Sequence, residues 1–457
     1  MTAGGQGDVD PYQPDHGSTA FHVEHYDLDL TYRPHLNRLH GTATLRVRTL
    51  EDLTELALDL AGLTVEKVTL TGARLARYVH RADRLVLRLG GEVTAGTELT
   101  VVVRYGGNPA PISSPWGPVG WEELTDGVVV ASQPTGAPSW FPCNDRPADK
   151  ATYRTSITVD NPYRVLAHGA LVSSKRRASA TTWVYEEKRP TSTYLATVQI
   201  GQYEEHELVA EPVRQAVLVP TALRTAARDR LAHHGQLMTF FARIFGPYPF
   251  ATYTLVITED DLEIPLEAQG LSIFGANHLS STDGDERLIP HELAHQWFGN
   301  SVSPSSWQHI WLSEGFACYA EWLWSEESGG RSADALASTW HRRLSRLDQD
   351  LVLADPGYRR IFDDRVYKRG ALTVHALRGA LGDEAFVAMV RGWTSRYAGG
   401  SVTTADFREH ALEHATETGG TELAGEVQGL LEAWIDGAAL PPLDGASGRG
   451  WLDALRR

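Results

Sequence analysis

From about His22 to Tyr203 the chain alternates apolar and polar residues in short runs. Examples are YDLDLTY (26–32), ATLRVRT (43–49), RLVLRL (84–89), LTVVVRY (99–105), GVVVAS (127–132) and TYRTSITVD (152–160). Side chains of a strand point alternately to its two faces, so this period of two predicts half-buried strands. Gly90-Gly91, Gly106-Gly107-Asn108-Pro109 and Asp160-Asn161-Pro162 supply turns between them. The pattern therefore predicts an antiparallel domain with more than one sheet, whose last strand lies in STYLATVQIGQYEE (192–205). After about Glu211 the period lengthens. TALRTAARDRLAHHGQLMTFFARIFG (221–246) repeats its apolar residues at helical spacing and ends at Gly246-Pro247, a helix stop. Two short strands follow, TYTLVIT and LSIFG, and from there to the end the chain reads as mainly helical.

The organisation expected is a flexible tail over 1–17, a β domain over 18–205, a helical domain over 206–445 and a second tail over 446–457. A length of 457 residues agrees with two or three domains. The formal net charge of -16 argues against a nucleic-acid partner, because phosphate binding needs clustered Lys and Arg. Cys143 and Cys318 are too few and too far apart for a disulfide framework and read as buried reduced thiols. No run approaches the ~18 apolar residues of a membrane helix. Residues 1–17 lack both a basic stretch and an apolar stretch of a secretory signal. These readings place the protein in the cytoplasm, away from membranes, with its oligomeric state open.

The chemistry concentrates in His291-Glu292-Leu293-Ala294-His295. Residues four apart stack on one helix face, so both imidazoles can reach one ion, and Glu292 can lie beside an activated water without coordinating. Pro290 suits a first helical turn and Gly299-Asn300 a stop. A catalytic zinc takes three protein ligands and keeps one open position. Eighteen residues separate His295 from Glu314, in Trp311-Leu312-Ser313-Glu314-Gly315-Phe316-Ala317, where a carboxylate opens another helical run. His291, His295 and Glu314 are thus the expected zinc ligands, with one Zn2+ per chain.

His-Glu-x-x-His followed at this distance by WLSEGFA resembles peptidase family M1, the aminopeptidase N type of zinc enzyme. WFPCNDRPADKATY (140–153), FGPYPF (245–250), HQWFGNSVSPSSW (295–307) and VYKRGAL (366–372) resemble further motifs of that family, in the family's order. The resemblance runs from about residue 20 to 440. It implies an N-terminal antiparallel β-sheet domain followed by a mainly helical, thermolysin-like (gluzincin) catalytic domain. It also implies the reaction: hydrolysis of the N-terminal peptide bond of peptides that carry a free N-terminus. Glu292 takes the role of general base and then acid, and Tyr367 that of hydrogen-bond donor to the tetrahedral oxyanion.

In this family a Gly-x-Met-Glu-Asn loop holds the substrate's ammonium, 24 residues before the first histidine. Here that stretch reads Ile264-Pro265-Leu266-Glu267-Ala268-Gln269-Gly270, so Glu267 inherits the amine-anchor role while the Gly, Met and Asn are missing. Gln133, nine residues before Pro142, matches a position that helps grip the amine. Asn300, Glu321 and the backbone near Trp307 are candidates for orienting the zinc-bound imidazoles. EAWIDGAALPPL (432–443) resembles the end of the catalytic domain, which implies a two-domain form without the family's long helical C-terminal domain. Its cleft would then be more open, or covered by a second subunit. Alternative readings of the same motif are a zinc endopeptidase, an epoxide hydrolase of the same fold, or a non-catalytic peptide-binding module.

Overall fold

The computed structural model describes residues 9–210, 213–280 and 287–443. Their contacts group the chain into two compact units. Among the described residues the first takes 9–210, 213–232 and 250–280, and the second takes 233–249 and 287–443. The units therefore do not follow a single cut near residue 206. Thr252–Ile257 pairs in parallel with Arg214–Val219, and Leu271–Phe274 pairs in parallel with Thr252–Ile257, which ties 250–280 to the β-rich unit.

In that unit a seven-stranded sheet runs in the order Ala170–Arg176, Ala180–Thr191, Ala151–Asp160, Phe21–Arg33, Arg38–Thr49, Glu98–Gly107, Thr64–Thr71. Its pairs are antiparallel except one: Phe21–Arg33 lies parallel to Ala151–Asp160, with His25 opposite Thr152 and Tyr32 opposite Val159. Local alternation cannot reveal that pairing, because strand direction depends on the long connection between the two strands. The alternation itself is obeyed. Tyr26, Leu28, Leu30 and Tyr32 are buried, and Tyr26 stacks on Tyr153 with ring centroids 4.9 Å apart. Two five-stranded sheets and one three-stranded sheet complete the unit.

Residues 10–17, expected above as part of a flexible tail, are held. Gly17 N–H donates to Asp59 (2.9 Å), Ser18 N–H donates to Asn144 (2.7 Å), and His16 Nδ1 lies 3.4 Å from Asp145. The cause is burial: Asp59, Asn144 and Asp145 are all less than 5% exposed, and buried acceptors need donors. Residues 1–8 and the tail proposed over 446–457 lie outside the described residues.

The long helical stretch read over 221–246 is two helices, α1 (Arg224–Arg230) and α2 (His234–Phe245), and the break at 231–233 coincides with the change of unit. α2 ends at Gly246, as expected, with φ at +96°. The second unit continues with α3 (Leu288–Ala294), α4 (Trp311–Glu327), α5 (Ala333–Leu344), α6 (Asp364–Leu381), α7 (Asp383–Arg396) and α8 (Thr404–Leu431). α4 is buried on every side from Trp311 to Leu323, as befits a central helix. α6 crosses it closely, because Gly315 and Gly370 face each other and neither carries a Cβ. Asp363 caps α6 by accepting from Arg365 N–H (2.9 Å), which sets Tyr367 in its first turn. Arg369 then ties α6 to distant chain, donating to the carbonyls of Leu351, Trp434 and Ala438 at 3.0, 2.9 and 2.7 Å. Both cysteines are buried free thiols.

Candidate metal centre

His291 and Glu292 lie on α3 and His295 caps it, all three buried. α3 packs on α4, whose first turn carries Glu314. The result is a convergence: His291 Nε2 stands 3.4 Å and His295 Nε2 3.5 Å from the same Glu314 Oε2. One atom from each of the three lies within 4.8 Å of the others.

The opposite ring nitrogens are already committed. His291 Nδ1 is 2.7 Å from Glu321 Oε1, and His295 Nδ1 is 3.0 Å from the Phe298 carbonyl. A carboxylate and a carbonyl can only accept, so each Nδ1 donates, and Nε2 is the nitrogen that each ring turns toward Glu314, where an ion would replace any proton it carries. Both contacts are the support a metal-bound imidazole normally has. Of the expected orienting groups, Glu321 serves His291. His295 relies on Phe298 instead of the backbone near Trp307, and Asn300 joins through its N–H, which donates to the His295 carbonyl (3.0 Å). A backbone carbonyl three residues on carries no sequence signal, so the role of Phe298 shows only in the fold.

The donors fit zinc. Two imidazoles and one carboxylate are a catalytic zinc set, and a tetrahedral ion with bonds of about 2.0–2.1 Å spaces its donors about 3.3 Å apart. The 3.4 and 3.5 Å separations match that spacing. Electrostatics agree. Burial opposes a charge on His291, but hydrogen bonds to Glu314 and Glu321 outweigh it and raise its pKa to about 9. Burial likewise opposes ionisation of Glu314, yet the facing imidazoles hold its carboxyl below the usual carboxylate range. The metal-free pocket is therefore arranged around positive charge on the imidazole side, which a dication can supply.

Glu292 brings a carboxylate oxygen within 4.8 Å of a His295 ring nitrogen. The Tyr367 ring lies nearly parallel to His291, with centroids 6.1 Å apart and 13° between planes. Gln133 and Glu267 meet in the β-rich unit: Gln133 Nε2 donates to Glu267 Oε1 at 2.8 Å. Glu267 stands on the short edge strand Leu266–Ala268, opposite Ser272. Next to Tyr367, Lys368 is buried beside Cys318 and Glu321, a contact the motif reading did not single out.

Residues 22–195 match the model of the peptidase M1 N-terminal domain and residues 230–434 that of the peptidase family M1 domain. Aminopeptidase N of Oryctolagus cuniculus is 26% identical over 393 residues, covering 78% of this chain and 40% of the rabbit protein. This chain spans between 37% and 53% of the length of the curated relatives it matches. The crystal structure of an M1 zinc metallopeptidase from Deinococcus radiodurans is 31% identical, with a TM-score of 0.82, covering 95% of this chain and 98% of that one. A mutant of the Deinococcus enzyme bound to a Tyr-Ser-Ala substrate is 30% identical, with a TM-score of 0.83, covering 94% and 97%.

A β-sheet domain followed in the chain by helices that gather two imidazoles and a carboxylate defines the class of two-domain metallopeptidases. Within it, the chain belongs to peptidase family M1.

Proposed function

We propose that this protein is a zinc-dependent aminopeptidase that removes N-terminal residues from peptides, with His291, His295 and Glu314 as the zinc ligands. The observation that carries this reading is the approach of both Nε2 atoms to one Glu314 oxygen at 3.4 and 3.5 Å. Zinc, when bound, supplies a Lewis acid that polarises the scissile carbonyl and acidifies water. Glu292 takes the proton from the attacking water on its carboxylate and passes it to the leaving amine. Tyr367 donates its hydroxyl hydrogen to the oxyanion that forms on the former carbonyl. The substrate's ammonium is held by Glu267, whose carboxylate Gln133 steadies. Its hydrogen bond to Gln133, 2.8 Å, supports treating the two as one anchor.

We also place the protein in the cytoplasm. Two buried free thiols suit a reducing compartment, and no helix among the described residues is long and apolar enough to cross a membrane.

The test is hydrolysis of aminoacyl chromogenic amides and of their N-acetylated counterparts by metal-analysed protein. Turnover restricted to free amines, lost in Glu292→Gln and crippled in Glu267→Ala, supports the reading. Equal cleavage of blocked substrates makes the protein an endopeptidase. Absence of turnover with one zinc bound points to another electrophile, such as an epoxide, and absence of zinc to a binding module.

A further inference from the structure

Glu321 follows Glu314 by seven residues, two turns along α4, so both carboxylates leave one face of the helix. They take opposite nitrogens of His291: Glu314 Oε2 faces Nε2 and Glu321 Oε1 accepts from Nδ1. The orientation of that imidazole thus depends on what orients Glu321. Two cations approach it. Arg287 Nη1 is 3.4 Å from Oε1, on a side chain that is 50% exposed. Lys368 Nζ is 4.0 Å from Oε2, on a side chain that is 3% exposed.

The Lys368 ammonium has a defined seat. It donates to Cys318 Sγ at 3.1 Å and lies over the Trp340 ring, 4.7 Å from its centroid. Cys318 is on α4, Trp340 on α5 and Lys368 on α6, so three helices meet at one charge. A compact ammonium can serve a sulfur, a ring face and a carboxylate together, which a planar guanidinium does less readily. Buried charges are screened far less than the half-solvated Arg287, so Lys368 sets the direction of the field at Glu321 even at 4.0 Å.

We propose that Lys368 is a positioning residue of the metal centre: through its buried ion pair it holds the Glu321 carboxylate so that Oε1 stays on His291 Nδ1. The inference rests on His291 being a metal ligand. Without the ammonium, Oε2 loses its buried counter-charge, nothing holds the carboxylate against rotation, and His291 loses the fixed acceptor that sets its ring. Tyr367, the preceding residue, lies nearly parallel to the same imidazole, so one turn of α6 addresses His291 from its face and from its far nitrogen.

The experiment measures zinc affinity by competition with a chromophoric chelator for the full chain and for Lys368→Met, Lys368→Arg, Glu321→Gln and the Lys368→Met/Glu321→Gln double variant. Lys368→Met is expected to weaken zinc binding by ~10–100-fold, the usual effect of losing a group that supports a ligand. Lys368→Arg is expected to recover only part of it, because it keeps the charge but not the compact ammonium that fits this seat. The double variant is expected to bind no more weakly than Glu321→Gln alone, because Lys368 acts through Glu321. If the methionine variant does not fold, Lys368→Gln goes through the same comparison. Wild-type affinity in the neutral variant, or additive losses in the double variant, overturns the proposal. A wild-type chain that binds no zinc overturns the metal-centre reading itself and this inference with it.

Discussion

Gly315 and Gly370 meet backbone to backbone where α4 crosses α6. A Cβ built on Gly370 would stand 2.7 Å from Gly315 Cα, and one built on Gly315 would stand 2.9 Å from Gly370 Cα. Glu314 immediately precedes the first glycine and Tyr367 lies one turn before the second. The closeness of the crossing therefore sets how near the α6 tyrosine comes to the α4 carboxylate. Gly370→Ala must force the helices apart, because backbone atoms cannot rotate away. We expect a stability loss of ~1–3 kcal/mol, as overpacking usually causes, read as a lower Tm by calorimetry. Activity per folded molecule should fall too. Unchanged turnover in a destabilised variant would uncouple the crossing from the site.

Glu292→Gln keeps the shape of the side chain and removes its basicity. The rate should fall by ~10²–10⁴-fold, the usual share of a general base, while zinc stoichiometry stays at one per chain. Tyr367→Phe should lower kcat by ~10²–10³-fold, the usual cost of one oxyanion donor, with little change in KM. Steady-state kinetics beside metal analysis checks both. A loss of zinc in either variant would mean that the residue supports the metal instead of the reaction.

Zinc affinity should depend on pH through His291. Its pKa in the metal-free chain is raised from 6.5 to about 9, so below about 9 the ion must displace a proton. Affinity should rise ~tenfold per pH unit between roughly pH 7 and 9 and then level off. The same shift acts on metal-free stability with a definite sign. A raised histidine pKa stabilises the fold below 6.5, and that contribution disappears as pH climbs through about 9. The same pairing holds the Glu314 carboxyl low, so it stabilises the fold above the usual carboxylate range and loses that contribution as pH falls below it. Chelator competition across this range is the measurement, and a flat profile would contradict the charge arrangement described.

Stripping the metal should lower thermal stability, and re-adding zinc should restore it. At a free zinc concentration a hundredfold above Kd the gain is ~2.7 kcal/mol. Differential scanning fluorimetry with zinc, magnesium and calcium distinguishes the sites, since an imidazole-rich set favours zinc over the two hard cations.

The strands and the ligand helix were legible because burial writes its period directly into the sequence. Tyr26, Leu28, Leu30 and Tyr32 alternate with polar residues and are buried as that pattern requires. His291, His295 and Glu314 were legible because helical spacing and donor chemistry constrain them together, and the structure gathers the three. Long-range features were not. The parallel pairing of Phe21–Arg33 with Ala151–Asp160 joins segments more than a hundred residues apart, and no local period encodes it. The break between α1 and α2 interrupts an uninterrupted helical pattern, because packing into different units overrides propensity there. Lys368 has no sequence signal of its own: its neighbour Tyr367 carries the motif, and its partners Cys318, Glu321 and Trp340 come from two other helices.

The two imidazoles differ in what stands behind them. His291 leans on a side chain, Glu321, and His295 on a main-chain oxygen, that of Phe298. Any amino acid at position 298 carries a carbonyl, so the acceptor behind His295 does not depend on the chemistry of a side chain. Variation at 321, by contrast, reaches the ion through His291. Descendants of this sequence can therefore adjust how tightly they hold their metal through one half of the site only, while the other half is inherited with the path of the chain.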